Sequence, residues 1–475
     1  MQKQIKRGIC ALLTLCVMLG AVPFVRATRF SDVPDTHWAA ADIELCASLG
    51  IINGVTPTEF GLGLPLSRAA CVVILERLFQ WDAANPAGLP YQDIDTSYWY
   101  APALAAAYRQ GVVTDQTAMF RPDEPVTRGE FASILVRALG YQVLSGTASA
   151  APFADVKANA GYIALAYEMG LVNGNAGRFL PDNAATREQA AAILARLYRK
   201  LSVTPRKIGV ISNSTGAWEN AGFDAVAVRA GQLTGTQDEP IRYLLDERDA
   251  DALRGLIADT GAQIFLALSG EVLNWNALNA VAEEVRRDDY DGLLLELTGS
   301  TLEASRIQSL KGLLQDKPLH LIVPAPALAD DDYPYDALAE FTDSLSVRVL
   351  GQSRMVNGFP TDPVEPQDEV YAALRTLRFD GLVLSASGSA WTGSVNTGRM
   401  SGAEVEAALG SVGVTAHYSE RYACAYLRNP AEELAVWYPD ARSLAARVRL
   451  SKLFNASTLV IPDANALTES LLSSL

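Results

Sequence analysis

Glu296 and three arginines are the residues whose setting asks for a chemical explanation. In the run Tyr290-Asp291-Gly292-Leu293-Leu294-Leu295-Glu296-Leu297-Thr298, strand alternation puts Leu294, Glu296 and Thr298 on one face. A carboxyl group on so apolar a face needs a hydrogen-bond partner or a raised pKa, because burial penalises its charged form. Either is expensive unless the site is used or wetted, so Glu296 is a candidate acid or base. A strand-end Glu turned to solvent is the competing reading. Arg68, Arg128 and Arg187 recur about 60 residues apart, each directly after a Ser or Thr that opens a predicted helix. In Thr127-x-x-Glu130 and Thr186-x-x-Gln189 a capping box accounts for the hydroxyl and for the residue three places on. It does not account for an arginine at the first helical position, where the charge opposes the helix dipole. The three arginines therefore read as binding residues.

Other chemistries have little material. His37, His320 and His417 are scattered and the five cysteines form no CxxC pair, so no metal site is expected. Ser212-Asn213-Ser214-Thr215-Gly216 lacks a dinucleotide fingerprint, and there is no Gly-x-Ser-x-Gly elbow; no cofactor is expected. Lys plus Arg number 39 against 54 Asp plus Glu, a net charge of −15, which argues against a chain-wide nucleic-acid or anionic-membrane footprint.

These residues must be positioned by several folding units, since the chain has 475 residues. Lys3, Lys6 and Arg7 precede an apolar run, and Val25-Arg26-Ala27 offers small residues for cleavage, so residues 1–27 read as a secretory signal peptide. No later apolar run is long enough for a retained membrane helix. Cys46 and Cys71 lie on apolar faces of predicted helices, as buried thiols or, alternatively, as a disulfide.

Three segments then align. They open with Phe30-Ser31-Asp32-Val33, Tyr91-Gln92-Asp93-Ile94 and Phe153-Ala154-Asp155-Val156, and their first helices stop at Gly50, Gly111 and Gly170. Trp38 and Trp99 occupy one equivalent place, which Gly161 takes in the third copy. The set resembles S-layer homology (SLH) motifs, expected at 28–87, 88–148 and 149–204. The resemblance implies an all-α three-fold helical bundle whose grooves hold the secondary cell wall polymer of a Gram-positive envelope, often through an acidic, pyruvylated sugar. Guanidinium forks suit such a carboxylate. Carried over, the polymer-binding residues are Asp32, Trp38 and Arg68 in one groove, Asp93, Trp99, Arg128 and Glu130 in a second, and Asp155 and Arg187 in a third. Ala70 and Gln189 stand where the motif has Glu, so the third groove is the one expected to be structural only.

After Pro205 eight short apolar runs alternate with helical stretches: 207–212, 225–229, 263–268, 292–297, 319–323, 347–350, 381–385 and 458–461. That pattern over residues 205–475 favours an α/β (β/α)8 TIM-barrel domain with its active face at the strand C-termini. The Asp291-Gly292 strand, the Tyr418-Ser419-Glu420 segment and above all Val436-Trp437-Tyr438-Pro439-Asp440-Ala441-Arg442-Ser443 resemble glycoside hydrolase family 18 and its cell-wall and spore branch. The resemblance implies a general acid two positions beyond Glu296, where this chain has Thr298. Threonine has no useful acidity, and loss of a general acid costs about 10²- to 10⁴-fold in rate. Trp218, Trp391, Tyr418 and Trp437, with Asp291 and Trp275, are candidates for a glycan groove.

Three readings follow. One is a secreted, wall-bound protein held by its SLH motifs to the wall polymer and peptidoglycan, whose barrel binds a glycan without turnover. Another is an active glycosidase in which Glu296 works with Asp330, Asp331 or Glu420 at about 5 to 10 Å. The last is a structural protein of the S-layer or envelope.

Overall fold

The computed structural model describes residues 29–475 apart from 115–116, 237, 288–289, 327–328, 330–331, 352 and 377–378. The expected signal peptide, Asp330 and Asp331 lie outside the described residues. The N-terminal part is helical: α1 Ala40–Ser48, α2 Arg68–Phe79, α3 Ala101–Arg109, α4 Arg128–Ala138, α5 Ala160–Glu168 and α6 Arg187–Ser202. The even-numbered helices start where hydroxyls and N3 side chains satisfy the first amides. The Ser67 side chain accepts from the Ala70 amide, Thr127 and Glu130 form a full capping box, and Gln189 reaches back to the Thr186 amide.

The helices pair α2 with α3, α4 with α5, and α1 with α6, so the first helix packs on the last. The segments leading into α2, α4 and α6 bond in a ring. The Val126 amide donates to Leu66 O (2.9 Å), the Leu66 amide to Ala185 O (2.8 Å), and the Ala185 amide to Val126 O (2.9 Å). Phe60, Phe120 and Phe179 are buried at equivalent places of the three repeats. Cys46 and Cys71 are free thiols, and burial pushes both up to about 12; no disulfide joins them.

α6 ends at Ser202 and the first strand begins at Arg206. Eight parallel strands follow: β1 Arg206–Ile211, β2 Ala225–Leu233, β4 Gln263–Gly270, β5 Gly292–Leu297, β6 Leu319–Pro324, β7 Ser344–Arg348, β10 Gly381–Val383 and β16 Thr458–Ile461. Their order is β1-β16-β10-β7-β6-β5-β4-β2, and β1 also pairs with β2, which closes the barrel. A short strand, β3 Ile241–Tyr243, adds antiparallel to β2. These strands read as apolar runs because a closed parallel sheet is covered on both faces. Ile208, Val210, Ala225, Ala227, Phe265, Ala267, Leu294, Ile322, Val383 and Val460 form a separate apolar cluster.

Outer helices α7 Glu247–Thr260, α8 Ala277–Arg287, α9 Ala304–Leu314, α10 Tyr335–Phe341 and α11 Gln367–Thr376 connect successive barrel strands. A hairpin, β8 Arg354–Val356 and β9 Phe359–Thr361, follows β7. Between β10 and β16 lies a five-stranded antiparallel sheet, β12-β11-β15-β14-β13, with α12 Gly402–Leu409 and α13 Ala441–Leu453. Its strands are β11 Gly388–Thr392, β12 Val395–Met400, β13 Thr415–Ser419, β14 Cys424–Asn429 and β15 Leu434–Tyr438. A last helix, α14 Glu469–Leu472, follows β16.

The helical part is bonded to the barrel. Buried Tyr141 donates to Ala446 O (2.8 Å), Arg449 to Leu139 O (3.1 Å), and Lys200 to Leu453 O (2.8 Å) and Asn455 Oδ1 (2.6 Å).

Candidate functional site

In the helical repeats the three equivalent acids act on backbone. Asp32 accepts from the amides of Phe60, Gly61 and Leu62 (2.7–2.9 Å), Asp93 from Phe120 and Arg121 (2.7 and 2.6 Å), and Asp155 from Phe179 and Leu180 (2.8 Å each). Burial pulls the Asp32 carboxyl up, but the amide bonds from Leu62, Phe60 and Gly61 outweigh it and leave the group below its ordinary value. These carboxylates hold the loop that begins at Phe60, Phe120 and Phe179.

The arginines reach across to the next repeat. Arg68 Nε donates to Phe120 O (2.7 Å), Arg128 Nε to Phe179 O (2.9 Å) and Arg187 Nε to Phe60 O (2.9 Å), and each guanidinium lies over the ring of that phenylalanine. This cross-repeat clamp is a second reason for the arginine, which the sequence of one repeat does not reveal. It also regroups the predicted sites. Arg68 meets Glu130 of the second repeat (3.1 Å), and Arg128 meets Gln189 of the third (3.1 Å). Arg187 closes on the first, where it also donates to Asn53 O (2.6 Å).

Two cavities occupy these junctions. The larger, about 470 Å³, lies between the second and third repeats and is lined by Arg128, Arg178, Gln189, Arg196 and, from the first repeat, Trp38. A smaller one of about 210 Å³ holds Arg68, Arg121, Glu130, Arg137 and Asn159. Trp38 and Trp99 are 63% and 65% exposed, which leaves their faces open to a sugar. No tryptophan could stand at the third equivalent place, because a Cβ on Gly161 would meet Ser145 O at 1.9 Å.

The C-terminal mouth of the barrel presents a different arrangement. Glu296 Oε1 pairs with Arg348 Nη2 at 2.6 Å and Oε2 with Arg229 Nη1 at 3.9 Å. Arg229 comes from β2, Glu296 from β5 and Arg348 from β7. Burial pulls the Arg229 guanidinium below its ordinary value, and Glu296 opposes that pull. Thr298 lines a cavity of about 410 Å³ with Glu296, Arg229, Ser269 and Glu271. Nearby, Asp463 accepts from the amides of Ala386 and Ser387 (2.8 Å each), and buried Glu365 accepts from the Ser385 amide and hydroxyl (3.0 and 2.6 Å). Burial raises the Glu365 carboxyl, while Arg447 works in the other direction.

A family model for the S-layer homology domain matches residues 29–70, 90–132 and 152–191. Residues 29–191 carry three S-layer homology domains. They mark a cell-surface protein, and no helix among the described residues is long and apolar enough to cross a membrane. Over 213 residues the chain is 25% identical to the S-layer protein sap of Bacillus anthracis, covering 43% of this chain and 25% of that protein. It is 32% identical over 180 residues to an amylopullulanase of Thermoanaerobacterium thermosulfurigenes, covering 36% of this chain and 10% of that protein. The chain thus spans a small part of the length of these curated relatives. Among solved structures, a chitinase from Chromobacterium violaceum is 18% identical with a TM-score of 0.47, covering 57% of this chain and 98% of that one. The spore cortex-lytic enzyme of Bacillus cereus is 12% identical with a TM-score of 0.45, covering 57% and 74%.

Among the described residues, none of the remaining candidates of the barrel domain lines the cavity of Glu296. Asp291 precedes β5, at the end of the barrel opposite the mouth, and its carboxylate accepts from the Ile264 amide (2.8 Å). Trp218, Trp391 and Trp437 are buried, and the indole N–H groups of the last two donate to Asp362 (3.1 Å) and Pro360 O (2.8 Å). They are core residues, not an open stacking face. Arg442 lies 3.8 Å from the ring centroid of Tyr418, and burial pushes that phenol up to about 12. Glu420 pairs with Arg442 at 2.7 Å. Trp275 is 51% exposed. Arg229 and Arg348, the partners that define the environment of Glu296, were missed because each is an ordinary strand residue until the barrel closes.

Proposed function

We propose that this is a secreted surface protein whose repeats, spanning 28–204 as a three-fold helical bundle, hold an acidic secondary wall polymer in the grooves between them. The barrel over 205–475 holds a glycan or another wall component without hydrolysing it. Anchoring follows from the S-layer homology domains and is supported by the guanidinium groups and exposed indoles at the repeat junctions. One observation carries the non-hydrolytic half. Glu296 is bound to Arg348 and faces Arg229, and Thr298 stands at the strand end where an acid would be needed. A carboxylate serving as counter-ion to two guanidiniums has a structural reason to be there. Hydrolysis with a rebuilt acid–base pair is the alternative reading, for which Glu271, lining the same cavity as Glu296, is the second carboxylate on the page.

The mature chain is tested on two preparations. Sedimentation with sacculi, before and after removal of the secondary polymer, reads anchoring, and equal sedimentation with stripped sacculi contradicts it. Mass spectrometry after incubation with chitooligosaccharides and peptidoglycan reads hydrolysis. Cleaved products that vanish with Glu296→Gln contradict the binding-only barrel.

A further inference from the structure

Two helix ends meet where the repeats join the barrel. α6 ends at Ser202 and α13 at Leu453, and the carbonyl groups of a last helical turn have no partner within their own helix. Here each end takes a lysine from the other. Lys200, in the last turn of α6, donates to Leu453 O (2.8 Å) and to Asn455 Oδ1 just beyond α13 (2.6 Å). Lys452, in the last turn of α13, donates to Leu201 O (3.2 Å). A cation at this place also meets the negative end of the helix dipole. Burial pulls both ammonium groups below their ordinary value, since the joint encloses them.

The exchange continues along α13 and α11. Arg449 donates to the carbonyl of Leu139, the residue that ends α4 (3.1 Å), and the fully buried Tyr141 donates to Ala446 O (2.8 Å). From α11, Arg375 donates to Thr147 O (3.1 Å) and Ser149 Oγ (3.0 Å), and buried Tyr371 donates to Glu168 at the end of α5. One apolar cluster runs through the joint: Tyr141, Leu144 and Leu197 belong to it together with Tyr371, Leu450 and Leu453. Units of one chain move against each other by default unless their interface is large and apolar. Separation here would strip the partners from a buried phenol, two enclosed lysines and the carbonyls of three helix ends, and each such loss carries a desolvation cost.

We infer that the repeats and the barrel are one cooperative folding unit, held by this exchange of helix caps and not by residues 203–205, so that whatever holds the repeats carries the barrel in one fixed orientation. The inference stands on the joint alone and does not depend on the anchoring reading.

The test uses the full mature chain with a site-specific protease sequence inserted between Val203 and Pro205. Uncut, it should keep the thermal midpoint of wild type. After cleavage the two halves are expected to co-elute on size exclusion at about 10 μM, which requires a dissociation constant of about 1 μM or tighter. Lys200→Met and Lys452→Met keep the aliphatic stems and remove the caps, and each should weaken the association of the cut halves about tenfold or more, the scale of a hydrogen bond to a charged group. A second measurement needs no cut. In native-state hydrogen exchange of wild type at rising urea, peptides from α6 and from β6 should lose protection together, as parts of one unit do. The inference is overturned if the cut halves separate at that concentration, if both methionine variants hold together as well as wild type, or if repeat and barrel peptides lose protection at different urea concentrations.

Discussion

Replacing Glu296 with Gln separates a counter-ion from a catalyst. In the folded chain the carboxylate lies 2.6 Å from Arg348 and 3.9 Å from Arg229, and the three side chains are only 13%, 13% and 27% exposed. The amide would keep the shape and remove the charge, leaving two guanidiniums facing one another at the barrel mouth. Breaking a buried pair so that a charge stays uncompensated costs about 3 to 5 kcal/mol. The residual exposure, and the field of Asp463 on Arg229, place the expected loss near the lower end, at about 3 kcal/mol. With a urea slope of about 3 kcal/mol per molar for a domain of this size, the midpoint should fall by about 1 M. The assay is urea unfolding of the mature chain, repeated for Arg348→Met and for the double variant. If Glu296 serves Arg348, the double variant loses less than the sum of the singles. A Glu296→Gln chain as stable as wild type, or more stable, would refute the reasoning, because removing a strained catalytic acid leaves the fold no worse.

Other outcomes follow from single sites. His320 stacks on Phe265, its Nδ1 lies 2.7 Å from the Ser344 hydroxyl, and burial pulls it down to about 4. The unfolded chain then binds this proton more readily, so the stabilisation is complete above about pH 6.5 and declines as pH falls towards 4, by up to about 3 kcal/mol. His320→Leu should flatten that part of the pH dependence of the urea midpoint, whatever its effect at pH 7. Glu365 carries the opposite sign: its folded pKa is raised by burial, so its stabilisation is present below the unfolded value and declines as pH rises through the folded one. Glu365→Gln should therefore raise the midpoint at pH 7 and leave it nearly unchanged at pH 4. Gly161→Ala places a methyl group 1.9 Å from Ser145 O and should destabilise the third repeat by about 1 to 3 kcal/mol, read as a lower thermal midpoint.

Much of the architecture is legible along the chain because it is written in short-range physics. Capping boxes, helix-ending glycines and hydrophobic periodicity fall within a few residues, so the repeats and the starts of α4 and α6 appear in the sequence near where the structure has them. Seven of the eight barrel strands are likewise visible as apolar runs close to where they lie, since most of a closed parallel sheet is covered on both faces; β7, Ser344–Arg348, alternates Ser344, Ser346 and Arg348 with Leu345 and Val347, and the run expected at 347–350 overlaps it by two residues. The chemistry depends on closure, which no local pattern contains. Arg128 acquires its amide partner only when the third repeat packs on the second, and Trp38 its cavity only when the third repeat returns to the first. Glu296 acquires its arginines only when β2 and β7 are brought to the same mouth as β5. Three tryptophans that might have lined a groove are instead buried, because an aromatic side chain reads the same in sequence whether its face meets a sugar or the core. The sequence by itself determined the repeating units and the barrel. Tertiary structure alone decided which charges meet, since Coulomb and hydrogen-bond energies depend on distances that close across scores of residues.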